Sequence, residues 1–207
     1  MKLIFDTATE ASMVAIMEGD AILYHVDLPR GLRNSHLLVS KIEEGFLKTD
    51  LVPEDLQMIV VGVGPGSYTG VRVGVMVAKT LSLAWKKPLV GVPTLKGFWP
   101  QSPGPFAAML DAKSGGVYCL HGVLKDSGAS YFTNSERMSI EDGMRVLQKT
   151  NRLVSCDAAH LSSRFSGDFV CEDASLNPRA FASEANRLFS FSQYSLEGEC
   201  EILYLNS

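Results

Sequence analysis

The sequence predicts an α/β fold made of two halves of the same order: three strands, a helix, a strand and a further helix. Three observations carry this. An apolar strand at residues 2–5 runs into Asp6, and the same pattern returns at residues 106–110 running into Asp111. Between them, Met58 to Val63 and Leu89 to Val92 are continuous apolar, β-branched runs, which suit strands covered on both faces. Stretches with four-residue apolar spacing separate these runs, as helices packed on a sheet require.

In the first half, residues 2–5, 12–17 and 21–28 read as an antiparallel meander, with Glu18-Gly19-Asp20 as a tight turn. Leu38, Ile42 and Phe46, widened by Val39 and Leu47, predict an amphipathic helix over 35–47, and Pro53-Glu54-Asp55 starts a short helical turn. A second helix is expected over 71–85, stopped by Lys86-Lys87-Pro88, with Thr94 capping a short helix through Phe98. Gln101-Ser102-Pro103-Gly104-Pro105 reads as a hinge or linker, so the domains are placed at 1–100 and 101–207. In the second half, residues 117–124 and 130–133 give strands, Ser139-Ile140-Glu141-Asp142 opens a helix to about Lys149, and residues 153–156 give a buried strand. Asn177-Pro178 supplies an N-cap and first-turn proline for a helix to about Phe189.

Composition narrows the function. The chain has 207 residues, 46% hydrophobic and 20% charged, with a net charge of -4, a poor basis for gripping tRNA or DNA alone. None of Cys119, Cys156, Cys171 and Cys200 forms a C-x-x-C pair, and His25, His36, His121 and His160 form no helical pair, which disfavours a metal site. His36 reads as a surface or interface residue. The start Met1-Lys2-Leu3-Ile4-Phe5 meets Asp6 before a signal core develops, and no apolar stretch reaches the length of a bilayer span, so a cytoplasmic protein with reduced thiols is expected.

The strongest local signal is Gly64-Pro65-Gly66-Ser67-Tyr68-Thr69-Gly70, delivered by a buried strand and leading into a helix. Such a turn can aim N–H groups at a phosphate. It is not a P-loop, because Val71 and Arg72 stand where Lys and Ser or Thr are required, and it lacks G-x-G-x-x-G because Ser67 takes the third glycine's place. By spacing alone a structural turn is the stronger reading. Ser67 also lacks a G-x-S-x-G elbow, which argues against a serine hydrolase. Asp6-Thr7-Ala8-Thr9 sits where a phosphate-gripping turn would need glycine, and Ala8 occupies that place; a degenerate nucleotide site at Asp6, Thr7, Thr9 and Asp111 and plain turn formation both stay open. No Asp or Glu lies between Asp55 and Asp111, and the second helix is apolar nearly all round, as either a deep core or a partner surface demands.

The βββαβα unit used twice, with acids ending both first strands, is the layout of two actin-like/ribonuclease H-like (ASKHA) domains, a superfamily whose paired domains close over a nucleotide. At residues 64–74 the sequence resembles the TsaB (YeaZ-like) family of tRNA threonylcarbamoyladenosine biosynthesis proteins. That family's loop reads GPGSFTG followed by apolar, Arg, apolar, Gly, and here Gly64, Gly66, Ser67, Thr69, Gly70 and Arg72 match. The resemblance extends through Ile4 to Thr9, Gly91 to Leu95, and Asp111-Ala112-Lys113. This chain departs at Asn34-Ser35-His36, at Ser114 and Gly116, and at Asn206.

The resemblance implies a non-catalytic subunit working with a TsaD-like paralogue, with a TsaE-like ATPase in the wider complex, to place a threonylcarbamoyl group on the adenosine next to the anticodon. It implies tRNA contact only through the complex and no membrane. No cofactor is expected on this chain alone, while ATP or ADP and a metal belong to the partner complex. The apolar stripes of the helices at 35–47 and 71–85 exceed what one sheet face can cover, so the two are expected to lie side by side and meet another chain through Leu38, Ile42, Val73 and Val77. The resemblance points the same way, to that paralogue or a second copy of the chain. The alternative from the same superfamily is an ATP-dependent phosphotransferase.

Overall fold

The computed structural model describes residues 1–29, 37–113 and 115–191. The first half forms a five-stranded sheet from β1 (Lys2–Asp6), β2 (Met13–Glu18), β3 (Ala21–Asp27), β4 (Met58–Gly62) and β5 (Leu89–Val92), in the order β3-β2-β1-β4-β5. Strands β1, β2 and β3 pair antiparallel and β1, β4 and β5 parallel. Helix α1 (Leu38–Thr49) follows β3, and α2 (Tyr68–Trp85) crosses from β4 to β5.

The second half repeats this. Strands β6 (Gly104–Asp111), β7 (Gly116–Lys125), β8 (Gly128–Tyr131), β9 (Glu136–Ser139), β10 (Arg152–Ser155) and β11 (Val170–Asp173) form a sheet ordered β11-β10-β6-β7-β8, with β9 also on β7. Helices α3 (Ile140–Thr150), α4 (Ala158–Ser162) and α5 (Pro178–Phe191) complete it. Reversed, the order reads β8-β7-β6-β10-β11, so β6 takes the central place of β1 and Asp111 that of Asp6. The chain is thus a two-fold repeat of the actin-like layout.

Alternation along the strands assigns the layers. Leu3, Phe5, Val14, Ile16, Ile59 and Val61 face α1 and α2, while Ile4, Met13, Ala15, Met58, Val60 and Val92 face the opposite side. In the second sheet Ala107, Met109 and Leu153 pack under α3 and α4 with Leu147, Leu161 and Phe165, and Phe106, Ala108, Leu120 and Val154 face inward. The two inner faces share one apolar cluster, closed by Leu176 and by Phe181, Ala182 and Ala185 of α5. Helix α5 therefore packs on the first sheet although it belongs to the second half of the sequence.

Local chemistry explains where the elements differ from expectation. Helix α2 begins at Tyr68, earlier than expected, because the Ser67 hydroxyl caps it by accepting the Gly70 N–H at 3.3 Å. Helix α1 is described from Leu38; Ser35 and His36, like Asn34, Ser114, Cys200 and Asn206, lie outside the described residues. Thr94 is no cap: Pro93 precedes the 3-10 turn Thr94–Gly97 and the Thr94 hydroxyl goes to Asp6. The expected hinge at 101–105 is pinned. The Gln101 N–H donates to Glu172 Oε2 at 2.8 Å, the Ser102 carbonyl accepts from Arg152 Nη1 at 2.7 Å, and Gly104 already belongs to β6. No described helix is long and apolar enough to cross a membrane.

The shared inner core gives a direct test. Phe181 is fully buried, and its ring lies so close to Gly97 that a Cβ there would stand 2.2 Å from Cε2. Phe181→Ala is expected to cost about 3–5 kcal/mol in urea unfolding through lost burial and a residual cavity. Leu83→Ala, at a side chain 82% exposed, should stay within about 0.5 kcal/mol.

Candidate functional site

The site begins where three parallel strands end side by side. Phe5 of β1 is in register with Val61 of β4, so the next residues, Asp6 and Gly62, are neighbours. The Asp6 side chain is fully buried there. Its Oδ1 accepts the Ala8 N–H at 2.6 Å and its Oδ2 accepts the Thr94 hydroxyl at 2.6 Å. The Thr94 hydroxyl in turn accepts the Gly64 N–H at 3.1 Å, and the Thr94 N–H donates to the Gly64 carbonyl at 2.8 Å. One carboxylate thereby ties together the ends of β1, β4 and β5. Burial pushes it up to about 6, with the Thr94 and Ala8 hydrogen bonds opposing that rise.

The glycine loop is held against the Asp6 turn. Its Ser67 N–H donates to the Ala8 carbonyl at 2.6 Å, and the Thr7 hydroxyl donates to the Gly70 carbonyl at 2.7 Å. A Cβ at Gly62 would lie 1.6 Å from Asp6 Oδ2, at Gly66 2.2 Å from the Ala8 oxygen, at Gly70 2.0 Å from the Thr7 oxygen, and at Gly74 2.5 Å from Thr7 Oγ1. These glycines recur every four residues and form a groove that receives the Asp6–Ala8 turn. Four N–H groups of the loop and the start of α2 are engaged within the protein: Gly64 with Thr94, Ser67 with Ala8, Gly70 with the Ser67 hydroxyl, and Val71 with the Ser67 carbonyl. Thr9 closes its own turn, its hydroxyl accepting the Ala11 N–H at 3.2 Å and its carbonyl the Ser12 hydroxyl at 2.7 Å.

Asp111 makes the same local turn in the second sheet, Oδ1 accepting the N–H two residues on, at Lys113, at 2.9 Å. Its wider partners differ: Arg164 Nη1 pairs with Oδ1, and His160 Nε2 lies 3.9 Å from Oδ2. The structure thus gathers Asp6, Thr7, Gly64, Gly66, Ser67 and Gly70 into one interlocked pair of turns, while Asp111 ends the corresponding strand of the other sheet.

Beyond the loop, Tyr68, Thr69 and Arg72 are exposed on the first turns of α2, and the Arg72 guanidinium stacks 3.8 Å from the Tyr68 ring centroid. Helices α1 and α2 lie on the same sheet face and touch where Phe46 meets Trp85 edge to face, ring centroids 5.5 Å apart. Two of the expected interface residues belong to the core. Leu38 and Ile42 point into the sheet and are buried, Val77 is half-buried against the same core, and Val73 is half-buried. The exposed apolar side chains are instead Val39, Leu47, Tyr68, Met76 and Leu83, at 57, 77, 59, 63 and 82% exposure. Sequence reasoning missed Gly62 and Thr94 as partners of Asp6. The available signal was positional: Gly62 ends β4 beside β1, and Thr94 follows the end of β5, one strand further on.

Two predictions follow from the buried carboxylate and its groove. Because Asp6 titrates at about 6 in the folded chain, above its value when unfolded, the folded state holds that proton more tightly. The stability linked to protonated Asp6 is present at low pH, is lost as pH rises from about 4 to about 6, and stays lost above, by about 2–3 kcal/mol. Urea unfolding of Asp6→Asn should therefore show a flatter stability profile over that window than the native chain. Gly70→Ala should cost at least about 2 kcal/mol, since its Cβ meets a main-chain oxygen that can move only with the whole turn; thermal unfolding reads this.

Comparison with known proteins places this geometry. A family model described as TsaD, tRNA N6-adenosine threonylcarbamoyltransferase, matches residues 33–141. The tRNA threonylcarbamoyladenosine biosynthesis protein TsaB of Escherichia coli is 33% identical over 122 residues, 56% of this chain and 52% of that protein. The match thus spans about half the length of that relative. The TsaB of Bacillus subtilis is 27% identical over 73% of this chain and 68% of that protein. Among solved structures, YeaZ from Pseudomonas aeruginosa superposes with a TM-score of 0.77 at 21% identity, covering 99% of both chains, a likeness of fold. On the family model and these relatives, the chain belongs to the threonylcarbamoyltransferase family as a member of its TsaB/YeaZ group.

Proposed function

We propose that this chain is a non-catalytic subunit of tRNA threonylcarbamoyladenosine biosynthesis and that it acts by docking onto a TsaD-like paralogue through the outer faces of α1 and α2. The observation that carries the reading is the interlocking of the Asp6 and Gly64–Gly70 turns. In a nucleotide-binding member of this fold the first-strand turn faces a phosphate, whereas here Asp6, the Thr7 hydroxyl and the Gly64, Ser67 and Gly70 N–H groups are satisfied by protein. What the turns do instead is set the start of α2, and with it the exposed row of Tyr68, Met76 and Leu83 beside Val39 and Leu47 of α1. A patch of large apolar side chains on adjacent helices suits a protein partner. The net charge of -4 agrees with tRNA contact made through the complex. The wider complex, on this reading, includes a TsaE-like ATPase, holds ATP or ADP and a metal outside this chain, and works in the cytoplasm.

The decisive experiment is reconstitution with the TsaD-like and TsaE-like proteins of the same cell and the threonylcarbamoyl adenylate, with modified adenosine in transcript tRNA read by mass spectrometry. Product should require this chain and be absent when it is supplied alone. Met76→Glu and Leu83→Glu should each weaken capture of the TsaD-like protein at least about tenfold, because each buries an unpaired charge on association, while leaving the melting temperature nearly unchanged. Unchanged capture by both variants places the contact elsewhere. Calorimetry on the isolated chain should show no micromolar ATP binding; such binding would favour a phosphotransferase of the same superfamily.

A further inference from the structure

The two halves meet through a buried polar junction that neither the interlocked turns nor the exposed helix faces use. Lys96, in the turn after β5, sends its ammonium to Glu184 of α5 at 2.6 Å, with side-chain exposures of 8 and 6%. Arg187, one turn further along α5, grips the same carboxylate through Nε to Oε2 at 2.9 Å and Nη2 to Oε1 at 2.6 Å. On the other side, the Lys96 carbonyl accepts the hydroxyl of Tyr131 on β8 at 2.8 Å, and the Tyr131 oxygen accepts the Trp99 indole N–H at 2.9 Å. A single residue is therefore tied through its side chain to α5 and through its main chain to the second sheet. Next to it, Gly97 accepts the Phe181 ring into contact, and its carbonyl accepts the Asn177 N–H at 2.9 Å.

Two lobes that open and close need a boundary they can break cheaply, with solvated contacts and little shared core. Here a swing of one sheet against the other would draw Tyr131 away from Lys96, shear the common apolar cluster, and, through α5, which follows β11 in the chain and touches β8 while packing on the first sheet, load an ion pair in surroundings where an unpaired charge is costly. We infer that this junction is a lock: Lys96, Glu184 and Tyr131 hold the two sheets in one orientation, so the chain lacks the opening and closing of a two-lobed nucleotide-binding body and acts as a single rigid platform. A buried ion pair contributes little net stability compared with an apolar pair of similar volume, but it is directional. What the pair contributes is orientation. The inference is independent of the proposed partner.

The test is a pulsed electron spin resonance distance between spin labels on the two sheets, in a full-length Cys200→Ser chain. One label sits on the exposed Cys171 of β11 and the other on Leu23→Cys of β3, the other cysteines described being buried. The native junction should give one narrow distance distribution. The paired replacement Lys96→Met with Glu184→Leu, which removes both charges together, should keep cooperative unfolding but broaden or split the distribution. Tyr131→Phe, which deletes only the hydroxyl bridge, should broaden it less and serves as readout if the paired variant fails to fold. A broad or two-peaked distribution in the native junction, or distributions in the folding variants that superimpose on the native one, would overturn the lock.

Discussion

The first half of this molecule is organised around one buried carboxylate. Asp6 has no exposed surface and stands at the end of the central strand, where a charge can survive only if neighbouring donors are aimed at it. Ala8 and Thr94 supply those donors, and Thr94 also engages Gly64, so satisfying one side chain fixes the relative positions of three strand ends and the loop that leaves the second of them. The position of α2 follows, because its N-cap Ser67 is held by its own N–H to the Ala8 carbonyl. The cost is visible in the acid's raised titration, which sits at about 6. Stability is given up at neutral pH so that the turns have one arrangement.

This changes the meaning of the glycine-rich loop. A strand, a run of glycines and a helix suggest a phosphate cradle because glycine allows a close approach of backbone to ligand. Close approach is indeed what Gly62, Gly66, Gly70 and Gly74 provide, but the approaching group is the chain itself. In each case an added Cβ would fall 2.5 Å or less from an oxygen of the Asp6–Thr7–Ala8 turn. Ala8 is compatible with this arrangement for the same reason that it is unsuited to wrapping a phosphate: its methyl group is buried and its carbonyl is the acceptor for Ser67.

Much of this was legible in the sequence, and the gaps have physical causes. The central strands, α1, α2, α3 and α5 and the pairing of Asp6 with Asp111 were readable, because burial on two faces or on one helical stripe leaves a strong periodic pattern. Strands β9 and β11 and helix α4 were not. Strand β11, Val-Cys-Glu-Asp, is a four-residue edge held by β10 alone, and its sequence has no apolar alternation to betray it. The exposed apolar side chains of α1 and α2 were not told apart from the buried ones. Spacing shows that an apolar stripe exists, but Leu38 and Val39 look alike in a sequence; only the seat of α1 against β2 and β3 decides that the first is core and the second surface. The role of Thr94 was hidden for a related reason, since a threonine after a strand reads as a cap when its actual acceptor lies 88 residues away.

The two halves show how one layout can diverge. Asp6 and Asp111 end corresponding strands and each accepts the N–H two residues on, so the local turn has been kept in both. Their remaining valences were spent differently. Asp6 took a neutral hydroxyl and became fully buried, whereas Asp111 took the Arg164 guanidinium and stayed partly open, at 30% side-chain exposure. A neutral donor binds the first acid weakly in charge terms but tightly in geometry, which is what a positioning element requires. A cation partners the second, so its charge is met by an opposite charge and not by a neutral hydroxyl. One layout thus carries one acid that locks a pair of turns and one that closes a partly exposed ion pair, while a common apolar core joins the two sheets.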